Sequence, residues 1–153
     1  MSIQNRFALI VSTWFGCGFI KLAPGTIGSI TAVPLAWVLA ELGGILTLII
    51  VTTVLFLIGI WAAHTYVLRV QDEDPPQVVI DEVVGQCLTL LVVPVDVIYY
   101  LIGFVLFRLF DIIKPWPVNW ADKNIKGGLG IMLDDVLAGI YAGLALWGIH
   151  LWV

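Results

Sequence analysis

A bundle of α-helices embedded in a membrane is the fold class this sequence predicts, and three observations carry the prediction. Of the 153 residues, 61% are hydrophobic and only 12% charged, where soluble domains carry about 25% charged residues; the mean hydropathy is +1.06. Ile45 to Leu68 contains no formal charge, and about 20 apolar residues suffice to cross the hydrocarbon core of a bilayer. Gly28, Ala32, Ala36 and Ala40 recur at four-residue spacing, a stripe that lets helices approach closely in lipid. The length suits one domain over residues 1–153. A formal net charge of −4 with no basic run excludes a nucleic-acid partner, because nothing is present to neutralise phosphates.

Taken in order, Phe7 to Ile20 is an apolar segment behind Arg6. It lacks a small-x-small cleavage site and runs into Lys21 and Pro24-Gly25, so it reads as a retained packed or interfacial segment rather than a signal peptide. Pro24-Gly25 breaks that element, and Thr26 is placed to cap the helix that follows. Glu41 to Gly44 predicts a turn, and Ile45 to Leu68 the clearest crossing, closed by Arg69. His64 near its end reads as a packed or interfacial histidine. Gln71 to Pro76 is a polar loop; its Asp72-x-Asp74 pair lacks the preceding apolar strand that a phosphatase of the haloacid-dehalogenase type needs. Cys17 and Cys87 belong to no CxxC pair and read as small buried hydrophobes.

Asp81 and Glu82 then head the apolar run Val83 to Phe107, which Pro94-Val-Asp96 interrupts. A last span runs from Val136 to Val153, with Gly139 and Gly143 as a close-packing pair and Trp147 and Trp152 toward its end. Arg6, Lys21 and Arg69 put the N-terminus and the loop 69–82 in the cytoplasm. One crossing by 83–107 would place Arg108, Lys114, Lys123 and Lys126 outside, and each half of that run is too short to cross alone. The sequence therefore favours a re-entrant or kinked helical hairpin that returns to the cytoplasmic face, its turn buried in protein. The alternative is a plain crossing with the basic loop outside.

The scarce charges gather between residues 108 and 135: Arg108, Asp111, Lys114, Asp122, Lys123, Lys126, Asp134 and Asp135. With the hairpin, Asp81/Glu82, Asp111 and Asp134/Asp135 face one membrane surface. Paired carboxylates there repel one another unless a cation or proton intervenes. Hard oxygen ligands suit magnesium, which binds a few carboxylates together with substrate phosphate. The competing reading, acidic residues complementing helix dipoles, would suffice for a single pair. Arg108, Asp111 and Lys114 share a helix flank that Pro115 ends, and Trp116 and Trp120 set these cations at headgroup depth. Gly127-Gly-Leu-Gly130 would let backbone N–H groups approach a phosphate. Together these features describe magnesium-dependent phosphoryl transfer to water at the headgroup layer, with no serine or cysteine nucleophile.

APGTIGS (23–29), IDEVVGQ (80–86), FRLFDIIKPWPVNWADKNIKGGLGIMLDD (107–135) and the VLAG that follows resemble the bacterial phosphatidylglycerophosphatase A family. The resemblance implies an all-α enzyme of the bacterial inner membrane that hydrolyses phosphatidylglycerophosphate to phosphatidylglycerol and phosphate with magnesium, its active site facing the cytoplasm. It carries over to Asp81, Glu82, Arg108, Asp111, Lys114, Gly127, Gly128, Asp134 and Asp135. The expected roles are Asp81, Asp134 and Asp135 as metal ligands, Glu82 as ligand or base, and Arg108 and Lys114 on phosphate, with Gly127 and Gly128 beside them. Asp111 orients the cations or joins the metal shell, and Thr26 caps a helix or touches phosphate. Two rivals remain: a phosphatase of another lipid or small phosphate ester using the same site, and a non-enzymatic small membrane channel or scaffold. The patterns of CDP-alcohol phosphotransferases and of the membrane phosphatases with KxxxxxxRP and PSGH are absent.

Overall fold

The computed structural model describes residues 3–152, and every regular element among them is helical; Val153, the expected end of the last span, lies outside them. In chain order these are α1 (Ile3–Ser12), a 3-10 turn (Cys17–Phe19), α2 (Pro24–Val70), α3 (Ile80–Leu90), α4 (Val97–Ile113), α5 (Val118–Asn124) and α6 (Gly127–Trp152). Helices α2 and α6 are long and apolar enough to cross a membrane.

The apolar N-terminal segment is a helix only as far as Ser12. Trp14, Phe15 and Gly16 then take positive φ, which ends the helix and turns the chain. Phe7 packs on Trp61, with ring centroids 6.1 Å apart, and the Ser12 carbonyl accepts the Val79 N–H at 2.9 Å. The segment is therefore tied both to α2 and to the approach to α3.

Helix α2 starts at Pro24, where a missing N–H costs nothing. Its N-cap is Ala23, with no side-chain cap, so Thr26 lies inside the first turn and is not the cap the sequence suggested. Gly44 (φ 69°, ψ −175°) interrupts the helix, and its open conformation carries no cost for glycine. The two arms, 24–43 and 45–70, fold back on one another. Gly28 lies against Val79 and Gly59 against Ile80, at nearly equal distances along the chain from Gly44. At 1.5 Å per residue the first arm is about 30 Å long, the thickness of a hydrocarbon core.

Helix α3 is central: every residue but Glu82 and Leu88 is buried. The stripe Gly28, Ala32 and Ala36 is buried, and Gly28 faces it. On the other side α6 crosses at Gly139, where a Cβ would lie 2.6 Å from the Gly85 carbonyl oxygen. The Thr89 hydroxyl reaches the Gly139 carbonyl at 3.3 Å across the same contact. After a turn at 91–96, Asp96 caps α4 by accepting the N–H groups of Ile98 (2.8 Å) and Tyr99 (3.2 Å). Helix α4 runs back toward the start of α3 and ends at Lys114, in left-handed conformation ahead of Pro115.

Helix α6 begins at Gly127, not after the aspartate pair. The glycines read in the sequence as a loop form its first turn because tertiary packing requires them: a Cβ on Gly128 would collide with the Ile60 carbonyl, and one on Gly130 with that of Ile125. Two ends of the bundle result. The residues around the start and end of α2, the start of α3 and the end of α4 meet at one end. Ala40, Ile45 and Leu48 meet the 91–95 turn at the other, and α6 runs from the first to the second, where His150 packs edge-on to Tyr99.

Candidate active site

At the first of these ends the helices enclose an open cavity of about 570 Å³. Its wall holds eight carboxylates (Glu73, Asp74, Asp81, Glu82, Asp111, Asp122, Asp134, Asp135) against four cations (Arg108, Lys114, Lys123, Lys126). With all ionised, eight against four leaves a formal −4.

The floor is built by α3 and α6. Asp81 and Glu82 occupy the first turn of α3, and the Gly85–Gly139 crossing brings the neighbouring turn of α6 against them. One oxygen each of Asp81, Glu82 and Asp135 lies within 4.8 Å of the other two. Asp81 is 9% exposed and Asp135 3%; Glu82 is half-buried. Asp81 Oδ1, Glu82 Oε2 and Asp135 Oδ2 are buried without a hydrogen-bond partner. Buried carboxylate oxygens this close are strongly unfavourable unless a cation sits among them or protons are taken up. Three clustered carboxylates from two helices, each with a buried oxygen left unpartnered, fit a divalent metal ion. The dipole explanation holds for the α3 pair alone, since Asp134 and Asp135 lie two turns inside α6.

Beside this trio, Arg108 Nη1 pairs with Asp111 Oδ2 at 2.6 Å and donates to the Ser29 hydroxyl at 3.4 Å, while the buried Arg108 Nε has no partner. Ser29 is fully buried and donates in turn to the Gly25 carbonyl at 2.9 Å. Gly25 is glycine for a reason: a Cβ there would collide with the Glu82 carboxylate and sit 3.3 Å from Arg108 Nη1.

Lys114 and Asp134, expected on phosphate and metal, are engaged with each other. Lys114 Nζ lies 2.7 Å from both Asp134 Oδ2 and Asp122 Oδ1, and Asp134 Oδ1 accepts the Asp135 N–H at 3.0 Å. Burial disfavours the Lys114 ammonium, but the hydrogen bonds and charges of Asp122 and Asp134 outweigh it and hold the group above the ordinary lysine range. Gly127 lines the cavity, whereas Gly128 and Thr26 do not. At the mouth, Lys126 Nζ pairs with Glu73 Oε2 at 2.5 Å. Sequence reasoning gave Gly25 and Asp122 no role of their own in the site, although Asp122 was among the gathered charges. The Pro-Gly pair within APGTIGS was the one available signal for Gly25.

A family model described as phosphatidylglycerophosphatase A matches residues 10–150. A phosphatidylglycerophosphatase A of Haemophilus influenzae is 37% identical over 154 residues, covering 100% of this chain and 94% of that protein. The Escherichia coli protein of the same name is 35% identical, covering 99% of this chain and 88% of its own. A Bacteroides thetaiotaomicron protein with the provisional name phosphatidylinositol-3-phosphatase is 39% identical over 150 residues, 93% of this chain and 92% of its own length. No solved structure matches the chain significantly. The chain belongs to the phosphatidylglycerophosphatase A family, and it is a phosphatase.

Proposed function

We propose that this family member hydrolyses phosphatidylglycerophosphate to phosphatidylglycerol and inorganic phosphate, using magnesium, at the cytoplasmic headgroup layer of the bacterial inner membrane. The observation that carries the reading is the cluster of Asp81, Glu82 and Asp135 carboxylates, each with a buried unpartnered oxygen, beside Arg108. A phosphate monoester would not enter a wall of formal charge −4 unaided. Magnesium held by that trio would neutralise the phosphoryl oxygens and lower the pKa of the attacking water.

The chain's own groups have separable tasks. Asp81 and Asp135, the more buried pair, serve as fixed ligands. Glu82 takes the proton of the attacking water. Arg108, held by Asp111 and Ser29, turns its unpartnered Nε–H toward the reacting phosphate, a charge-assisted bond. The water oxygen bonds to phosphorus as the bond to the glycerol oxygen breaks, and that oxygen leaves as the hydroxyl of phosphatidylglycerol with a proton returned to it. Lys114, locked between Asp122 and Asp134, positions the α4–α6 contact rather than touching substrate.

Support for the membrane setting comes from the surface. Ile45, Leu46, Ile50, Leu57, Leu101, Val105 and Leu144 are all exposed on α2, α4 and α6, a coat that lipid would cover. Arg108, Lys114, Lys123 and Lys126 line the cavity, and Lys21 and Arg69 stand beside the start and end of α2 at that end, the arrangement the positive-inside rule assigns to the cytoplasm. Helices α3 and α4 then form the re-entrant hairpin.

Phosphate release from phosphatidylglycerophosphate in detergent micelles tests the reading. EDTA should abolish release and added magnesium restore it. Full activity in EDTA would overturn the metal assignment. The Bacteroides relative supplies a second reading, a phosphatidylinositol 3-phosphate substrate, which a higher kcat/KM on that lipid would favour.

A further inference from the structure

We infer that the cavity grips its lipid at two phosphates, and that Lys123 takes the second, the phosphodiester joining diacylglycerol to the headgroup; this rests on the phosphatase reading above. Four cations line the cavity, and three are committed to carboxylates: Arg108 to Asp111 at 2.6 Å, Lys114 to Asp122 and Asp134 at 2.7 Å, and Lys126 to Glu73 at 2.5 Å. Among the described residues, Lys123 alone of these four has no carboxylate partner. A lone exposed lysine is ordinarily a solvated charge, but this one faces a net-anionic cavity in which each other cation is already neutralised.

Its depth fits a lipid phosphodiester. Lys123 lies in the last turn of α5, three residues beyond Trp120 and so on the same flank. Trp120 is 51% exposed and Trp116, just before the helix, 77%; exposed indoles of this kind sit at the membrane–water interface. A lysine there extends its apolar stem along the interface and holds its charge among the phosphates. The floor, by contrast, is buried and built for a monoester. A cavity of about 570 Å³ is also far larger than one phosphate and falls within the size range of sites for whole small ligands. The monoanionic diester suits a single mobile ammonium, and the reacting monoester suits the fixed guanidinium of Arg108.

The consequence is selectivity for lipids that carry a diester phosphate as well as the monoester. Phosphatidic acid, with a monoester alone, is the probe. Purified protein and its Lys123→Gln variant are assayed in mixed micelles on phosphatidylglycerophosphate and on phosphatidic acid. The ratio of kcat/KM for the first lipid over the second should fall about tenfold in Lys123→Gln, mainly through KM, and Lys123→Arg should retain it. An unchanged ratio, whether both activities fall together or neither falls, overturns the inference. Wild-type protein that releases no phosphate from phosphatidylglycerophosphate would instead overturn the functional reading, so the two failures are distinguishable.

Discussion

Asp134 and Asp135 are neighbours with different partners, because successive residues on a helix point about 100° apart. Asp135 turns to Asp81 and Glu82, and Asp134 to Lys114. Asp81 and Glu82 are neighbours too, yet both reach the trio, since the longer glutamate extends from the first turn of α3. Sequence alone marked both acidic pairs but gave no means of dividing the second, as both members fall in the same motif. The division predicts unequal effects. Asp81→Asn and Asp135→Asn keep shape but remove the charge of a proposed ligand, and each should lower phosphate release by at least ~10²-fold. Asp134→Asn leaves Lys114 paired to Asp122 and should cost about tenfold. Equal losses for Asp134→Asn and Asp81→Asn in the micelle assay would place Asp134 on the metal instead.

What aligns these side chains is helix packing at glycines, and here the sequence was only partly readable. The uncharged run 45–68 and the Gly139–Gly143 pair were legible, since charge and residue size are local properties. The first turn of α6 was not: glycine costs about 1 kcal/mol in a helix, so Gly127 to Gly130 reads as loop until the Ile60 and Ile125 carbonyls are seen to occupy the space. Thr26 was misread as a cap for a related reason, because Pro24 starts α2 earlier than the threonine suggests. The Gly85–Gly139 contact carries the sharper consequence. In Gly139→Leu, a side chain must displace the Gly85 backbone one turn from Glu82, at a cost of about 1–3 kcal/mol for overpacking. Thermal unfolding in detergent should show that loss, and activity should fall with it as Asp135 moves off the trio. Gly148→Leu, with nothing within 4 Å of its would-be Cβ, is the matched control and should change neither. A Gly139→Leu protein as stable and active as the control would show that this contact does not set the site.

Across the whole molecule, charge is divided between the two ends. Four cations and eight acids line the cavity at one end, while Glu41 and Asp96 lie toward the other end, near Gly44 and the turn at 91–96. Sequence predicted a returning hairpin from the basic residues after 107, against the alternative of a plain crossing. A plain crossing would set the loop after α2 and the loop before α6 on opposite faces of a membrane, so the Glu73–Lys126 pair at 2.5 Å supports the returning hairpin proposed above. In that proposal, unequal arms would let so short a run return. Helix α3 starts one turn below the start of α2, at the level of Gly28, and so needs only 11 residues to reach the far turn. The proposed sidedness is open to a direct test. With Cys17 and Cys87 replaced by alanine, a cysteine at Trp120 should react with an impermeant maleimide only in inside-out vesicles. One at Leu42, 84% exposed at the opposite turn, should react only in right-side-out ones. Labelling of both positions from the same side would contradict the hairpin of α2, and labelling of Trp120→Cys from outside would place the active site on the periplasmic face.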